Sequence, residues 1–217
     1  MPPGAIGSQQ LQRGRPLPGH FQLVKIEAPP GALVSIATEG HFDDLHKVPL
    51  RIGLLVGQTY RLRVTNIPTA LDEEVFPTIE LTSRLHPPRD EQFRFPIPIE
   101  LTLEDLHTAM AGKFVTRVVY IENPLTALPV DHSQHKQDWF DVGPGKDPFV
   151  VADSLGRPMA VVRMGGRLPD MTQDGQGMEF TFGSPPAIVY PPSSKKTQER
   201  SRRLPPPNKS ASMKERQ

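Results

Sequence analysis

From His20 to Pro192 the dominant period of the apolar residues in this chain is two, and that spacing constrains the fold more than any other feature. A period of two places successive side chains on opposite faces of a strand, one buried and one wet. Thr59 to Asn66 is the clearest case, with Tyr60, Leu62 and Val64 on one face and Arg61, Arg63 and Thr65 on the other. Leu50, Ile52 and Leu54 alternate in the same way just before it, and Gly57-Gln58 lies between. The two segments are therefore expected to form a hairpin. Upstream, Phe21–Glu27 and Ala32–Thr38 flank Ala28-Pro29-Pro30-Gly31, a turn whose proline and glycine fix the backbone.

Proline sharpens the reading, because 26 of 217 residues are proline, more than twice the average of about 5%. In Phe93–Leu101 the apolar face is Phe93, Phe95, Ile97, Ile99 and Leu101, while Pro96 and Pro98 stand on the other. Residues two apart direct their N–H groups to the same edge, so the two prolines remove donors from one side, and an edge strand is expected. Thr102-Leu103-Glu104-Asp105 follows as a near capping box, with Leu103, Leu106 and Met110 on one helical face and Gly112 as the stop. That predicts a short helix over about 102–111. Lys113–Glu122 is apolar on both faces and predicts a central strand covered on both sides. Further strands are expected at Phe149–Ala152, Pro158–Met164, Met178–Phe182 and Ala187–Tyr190. About ten short strands with a single helix and proline-rich turns point to an all-β sandwich.

The ends differ from the body. Lys195 to Gln217 holds eight basic and two acidic residues, net +6, which leaves the other 194 residues with 17 basic and 22 acidic, net −5. This basic tail has almost no large apolar residue after Leu204, and such a segment is expected to be disordered. Residues 1–19 are rich in proline and glycine, lack the apolar core of an export signal, and are expected to be disordered too. The chain thus divides into a Pro/Gly-rich segment 1–19, a main sandwich 20–123, a β-rich extension 124–192 packed on it, and the tail 193–217. No apolar run approaches the roughly 18 residues of a membrane-spanning helix. With no cysteine, disulfides, thiol catalysis and Cys-ligated metals are excluded.

Several strings carry a resemblance. Tyr60–Pro68, VFPTIEL (75–81), RLHPP (84–88), FPIPIELT (95–102), GKFVTRVVYIENP (112–124), WFDVGPGKDP (139–148) and GRPMAVVRMGGR (156–167) resemble a family of uncharacterised planctomycete proteins with no assigned activity. The resemblance covers most of residues 14–192. It implies a cell-envelope or periplasmic setting, although the chain as given shows no export segment, and the cytoplasm is the alternative. The stretch from Gly57 to Val64 is similar to strands of immunoglobulin-like modules, an analogy of fold that carries no function.

Chemistry is sparse. Asp131-His132-Ser133-Gln134-His135-Lys136-Gln137-Asp138-Trp139-Phe140-Asp141 is the one cluster suggestive of a site. His132, His135, Asp138 and Asp141 have the residue types and spacing of a divalent-metal set, against which stand Lys136 and the Gly143-Pro144-Gly145 that follows. Trp139, the single tryptophan, either anchors this loop on the core or, with Phe140, offers a partner-binding platform. Ser154 and Ser184 lack the context of a nucleophile elbow, and Gly143-Pro144-Gly145-Lys146 lacks the first glycine and the magnesium hydroxyl of a phosphate loop. Asp43-Asp44 and Asp72-Glu73-Glu74 read as solvated loop charges. No cofactor is expected.

Three functions are compatible with these residues. The first is a non-enzymatic sandwich that binds a protein or envelope partner through Trp139 and Phe140. The second is a metal-dependent hydrolase built on the His132/His135 loop. The third is weak, nonspecific nucleic-acid binding through the basic tail, since no groove-entering motif supports specific recognition.

Overall fold

A computed structural model describes residues 3–12, 19–125, 127, 139–166, 168, 181 and 183–191. Among them eleven strands fall into two sheets. One sheet has four strands in the order β11 (Ala187–Tyr190), β5 (Leu50–Leu55), β1 (Phe21–Glu27) and β8 (Ile97–Glu100). The other runs β3 (His41–Phe42), β2 (Leu33–Thr38), β6 (Thr59–Thr65), β7 (Thr78–Leu81), β10 (Gly156–Met164) and β9 (Val115–Glu122), with β4 (His46–Lys47) also on β2. The alternating residues read from the sequence meet between them: Val24, Ile52, Leu54, Ile97 and Ile99 from one sheet join Val34, Leu62, Val64, Ile79 and Val162 from the other in one core. The protein is therefore mostly β and two-layered, as its spacing predicts. Strands β10 and β11, from the β-rich extension 124–192, belong to these same two sheets.

The proline-bearing strand lies at an edge. β8 runs parallel to β1, and Leu101, which shares the N–H direction of Ile97 and Ile99, donates to Glu27 O at 2.8 Å. Pro96 and Pro98 consequently turn their donor-less side away from β1. The strand is shorter than its alternation suggests, because Gln92–Arg94 make a 3-10 turn. Phe93 and Phe95 are exposed as a result, and Phe93 packs edge-on against Tyr190 of β11.

Helix α2 (Leu103–Met110) also follows its signals. Thr102 accepts from the Asp105 N–H, Leu106 is buried, and Gly112 with φ of 76° ends the helix.

Five expectations are corrected. Leu50–Leu55 and Thr59–Thr65 do not pair: β5 lies in the four-stranded sheet and β6 in the other, so Gly57-Gln58 carries the chain across the core. Alternation fixes which face of a strand is buried and leaves its sheet open. The strand at 113–122 is an edge, not a centre, since β9 pairs with β10 alone among the described strands. Its apolar residues are half-covered by α2 and by α3 (Pro148–Leu155) instead of by two neighbours. Phe149–Ala152 belongs to α3, where Asp147 caps the Phe149 N–H and Pro148 occupies the first turn. Within the segment expected to be disordered, Ala5–Gln12 form α1, which packs against β7 and buries Ile6. Finally, Asp43 is not merely solvated; it accepts from Ile36 N at 2.6 Å and holds His46 at 2.9 Å, tying β2 to β4.

The Met178–Phe182 segment, apart from Thr181, and the basic tail lie outside the described residues.

Candidate functional site

Helix α2 joins the two sheet edges β8 and β9, and the candidate site grows from that join. The cap at Thr102 sets the first turn of α2, which places Asp105 only 3% exposed. Opposite it, Arg117 of β9 donates from Nη2 to Asp105 Oδ1 at 2.7 Å and from Nε to Oδ2 at 3.2 Å. The two-pronged geometry matches the flat guanidinium to a carboxylate and fixes its plane. Burial pulls the Arg117 pKa down, but the Asp105 hydrogen bonds and the charges of Asp105, Asp141 and Glu104 outweigh it, so the pKa stands above the ordinary arginine value. Arg117 is a permanent cation.

Trp139 lies over that cation, its ring centroid 4.0 Å from the guanidinium carbon. A face-on cation of this kind holds an indole with little freedom. The tryptophan thus anchors its loop, yet it remains 43% exposed, and Phe140 beside it is 54% exposed. Both roles weighed for Trp139 therefore draw on one geometry. The pair borders a cleft of about 220 Å³ whose floor includes Ile99, Tyr120, Val151 and Ala152. Burial, with the Glu122 carboxylate nearby, raises the Tyr120 pKa and keeps that phenol neutral.

Of the four residues with metal-ligand character, only Asp141 lies within the described residues. It sits 3.6 Å from Arg117 Nη1 and is 87% exposed. His132, His135 and Asp138 lie outside them. Among the described residues no group of three or more His, Cys, Asp or Glu side chains converges. Ser154 donates to Val151 O at 2.7 Å and Ser184 donates to Thr181 O, both local turn contacts.

A second concavity was not anticipated from the sequence. On the outer face of the larger sheet, Arg61, Thr78, Arg163 and Thr116 stand in one cross-strand row over β6, β7, β10 and β9. The row floors a groove of about 710 Å³ between α1 and the start of α3. Beside this row on the same face, under α1, Glu80 is fully buried, paired with Arg163 Nη1 at 2.8 Å and accepting the Gly7 N–H at 2.6 Å. The signal available was a lone carboxylate within Thr78-Ile79-Glu80-Leu81, two residues from the outward-facing Thr78.

The fold and site together define a mostly β, two-sheet protein with an aromatic-rimmed cleft where its two sheet edges are joined. Compared with models of known families, with curated proteins and with solved structures, the chain matches none.

Proposed function

We propose that this chain is a non-enzymatic binding module, an immunoglobulin-like sandwich of the cell envelope, that engages a protein partner through Trp139 and Phe140. One observation carries the reading: two large aromatic side chains stay exposed beside a cleft while the guanidinium of Arg117, held by the buried Asp105 carboxylate, supports one of them. Interfaces concentrate their binding energy in aromatic residues seated in such rigid settings, because little side-chain freedom is lost on contact. Arg117 is committed to Asp105 and serves as the support for Trp139. The envelope setting rests on the family resemblance. It is compatible with the finding that no described helix is long and apolar enough to cross a membrane.

The test compares the wild-type chain with Trp139→Ala and Phe140→Ala, using a photo-crosslinker at position 141 in cells. The reading expects one saturable crosslinked partner, lost in both variants while their melting temperatures stay close to wild type. If Trp139→Ala lowers the melting temperature and leaves the crosslink intact, Trp139 is a loop anchor only and the proposal fails. Stoichiometric zinc, copper or iron in the purified protein, lost on His132→Ala, would replace the binding module with the metal-dependent enzyme.

A further inference from the structure

The charges and rings of the Trp139 cleft point to a definite kind of occupant. Trp139, Phe140 and Tyr120 give it aromatic surface, and its lining carries three carboxylates, Glu100, Asp105 and Asp141, against one guanidinium, Arg117. Asp105 is spent on Arg117. Asp141 is 87% exposed and 3.6 Å from Arg117 Nη1, while Glu100 has no ion pair among the described residues. The cleft therefore holds excess negative charge beside flat apolar rings. Its volume of about 220 Å³ falls below the roughly 300–1,000 Å³ of small-molecule sites, which suits part of a peptide laid across it. A basic, proline-rich segment meets both requirements. A run of prolines favours the extended polyproline II conformation, so it docks with little loss of backbone freedom, and aromatic-lined grooves receive it.

This chain carries such a segment. Arg202-Arg203-Leu204-Pro205-Pro206-Pro207 holds the only run of three prolines in the sequence, with two arginines at its start. It lies in the tail of net +6, whereas the rest of the chain is net −5. Connectivity brings it within reach of the cleft. Tyr190, Arg51, Lys25 and Pro98 are register partners in one row across β11, β5, β1 and β8. With strands about 4.8 Å apart, Tyr190 stands roughly 14 Å from Pro98. The next two residues of β8, Ile99 and Glu100, line the cleft. The thirteen residues between Tyr190 and Leu204 can span up to about 40 Å, so the tether is long enough. A ligand attached in this way meets its site at an effective concentration in the millimolar range.

We propose that residues 202–207 occupy the Trp139 cleft of their own chain, prolines against Trp139, Phe140 and Tyr120 and arginines toward Glu100 and Asp141. The tail then competes with an external partner for the site and regulates access to it. The inference rests on the reading of Trp139 and Phe140 as a binding platform and adds what controls that platform.

The test uses the full chain and a full-length tail variant carrying Leu204→Ser, Pro205→Ser, Pro206→Ser and Pro207→Ser. Both are titrated with a synthetic peptide of residues 200–209, and the emission of Trp139, the single tryptophan, reports binding. The tail variant should bind the peptide saturably. The wild type should bind it about tenfold more weakly, the ratio expected when a tethered competitor at about 1 mM meets a site with Kd of about 100 µM. Added to the tail variant, Phe140→Ala should weaken the peptide by about tenfold and Glu100→Gln by about threefold. Equal affinity in wild type and tail variant, absence of saturable binding, equal binding of a peptide bearing the same four serines, or indifference to Phe140→Ala would each overturn the assignment. So would occlusion of the wild type that grows with protein concentration, since the tail would then come from a second copy. Peptide results that fail while the crosslink from position 141 to an external partner persists sink this inference alone. An occluded cleft with no external crosslink even in the tail variant sinks the partner reading alone.

Discussion

Glu80 shows how much a single side chain can demand of its surroundings. A fully buried carboxylate is tolerated only when its oxygens are satisfied, here by the Arg163 guanidinium and the Gly7 amide. Arg163→Met removes the charge partner, so it should destabilise the protein by about 3–5 kcal/mol in urea unfolding. The double variant Glu80→Leu with Arg163→Met should recover most of that loss, because no buried charge is then left unpaired. A second residue sets a pH dependence. The His20 pKa lies below 6.5 through burial and the charges of Arg84 and His86. The unfolded chain therefore binds the proton more readily, and the His20 contribution is complete above about pH 6.5 and lost as pH falls below it. In denaturant titrations between pH 5 and 8, His20→Gln should flatten that acid-side decline. None of this was legible in the sequence. Glu80 and Arg163 are 83 residues apart, and periodicity marks a face without naming what it will meet.

Elements were legible where their signals are local. α2 carries its own cap and stop, and Thr102→Ala should cost about 1 kcal/mol by removing an acceptor from the Asp105 amide. Pro96 and Pro98 foretold an edge because a missing donor is a property of the residue itself. α3 departs from its composition for the opposite reason: Phe149-Val150-Val151-Ala152 has the composition of a strand, and the Asp147-Pro148 start outweighs it. β5 and β6 alternate as expected but face each other across the core, a choice made by tertiary packing. α1 is placed by contact and not by propensity. A Cβ on Gly7 would sit 2.6 Å from Gly57 O, so Gly7→Ala should lift the helix off the sheet. Hydrogen–deuterium exchange should then show lost protection at residues 5–12 with the strands of the core unaffected.

At the scale of the molecule, both sheets are stitched together by crossings at residues 28–31 and 57–58 and by Tyr60. The Tyr60 hydroxyl accepts from Leu55 N and donates to Pro186 O, each at 2.8 Å, and burial pushes its pKa up to about 12. Neither layer holds a contiguous stretch of chain, so neither is expected to melt alone. Trp139 fluorescence and far-ultraviolet circular dichroism should give coincident unfolding curves in urea. Two separate transitions would show that the β9 edge and its loop open independently. Folding should be slow, in the millisecond-to-second range, because its pairings join distant parts of the chain.

The donor-less flank of β8 has a consequence for assembly. A ribbon from another molecule would find carbonyls without amide donors at Pro96 and Pro98, so pairing there loses hydrogen bonds and polymer growth is disfavoured on that border. Any fibre or swapped dimer of this protein would have to recruit a different border, and replacing Pro96 and Pro98 by valine would remove the barrier.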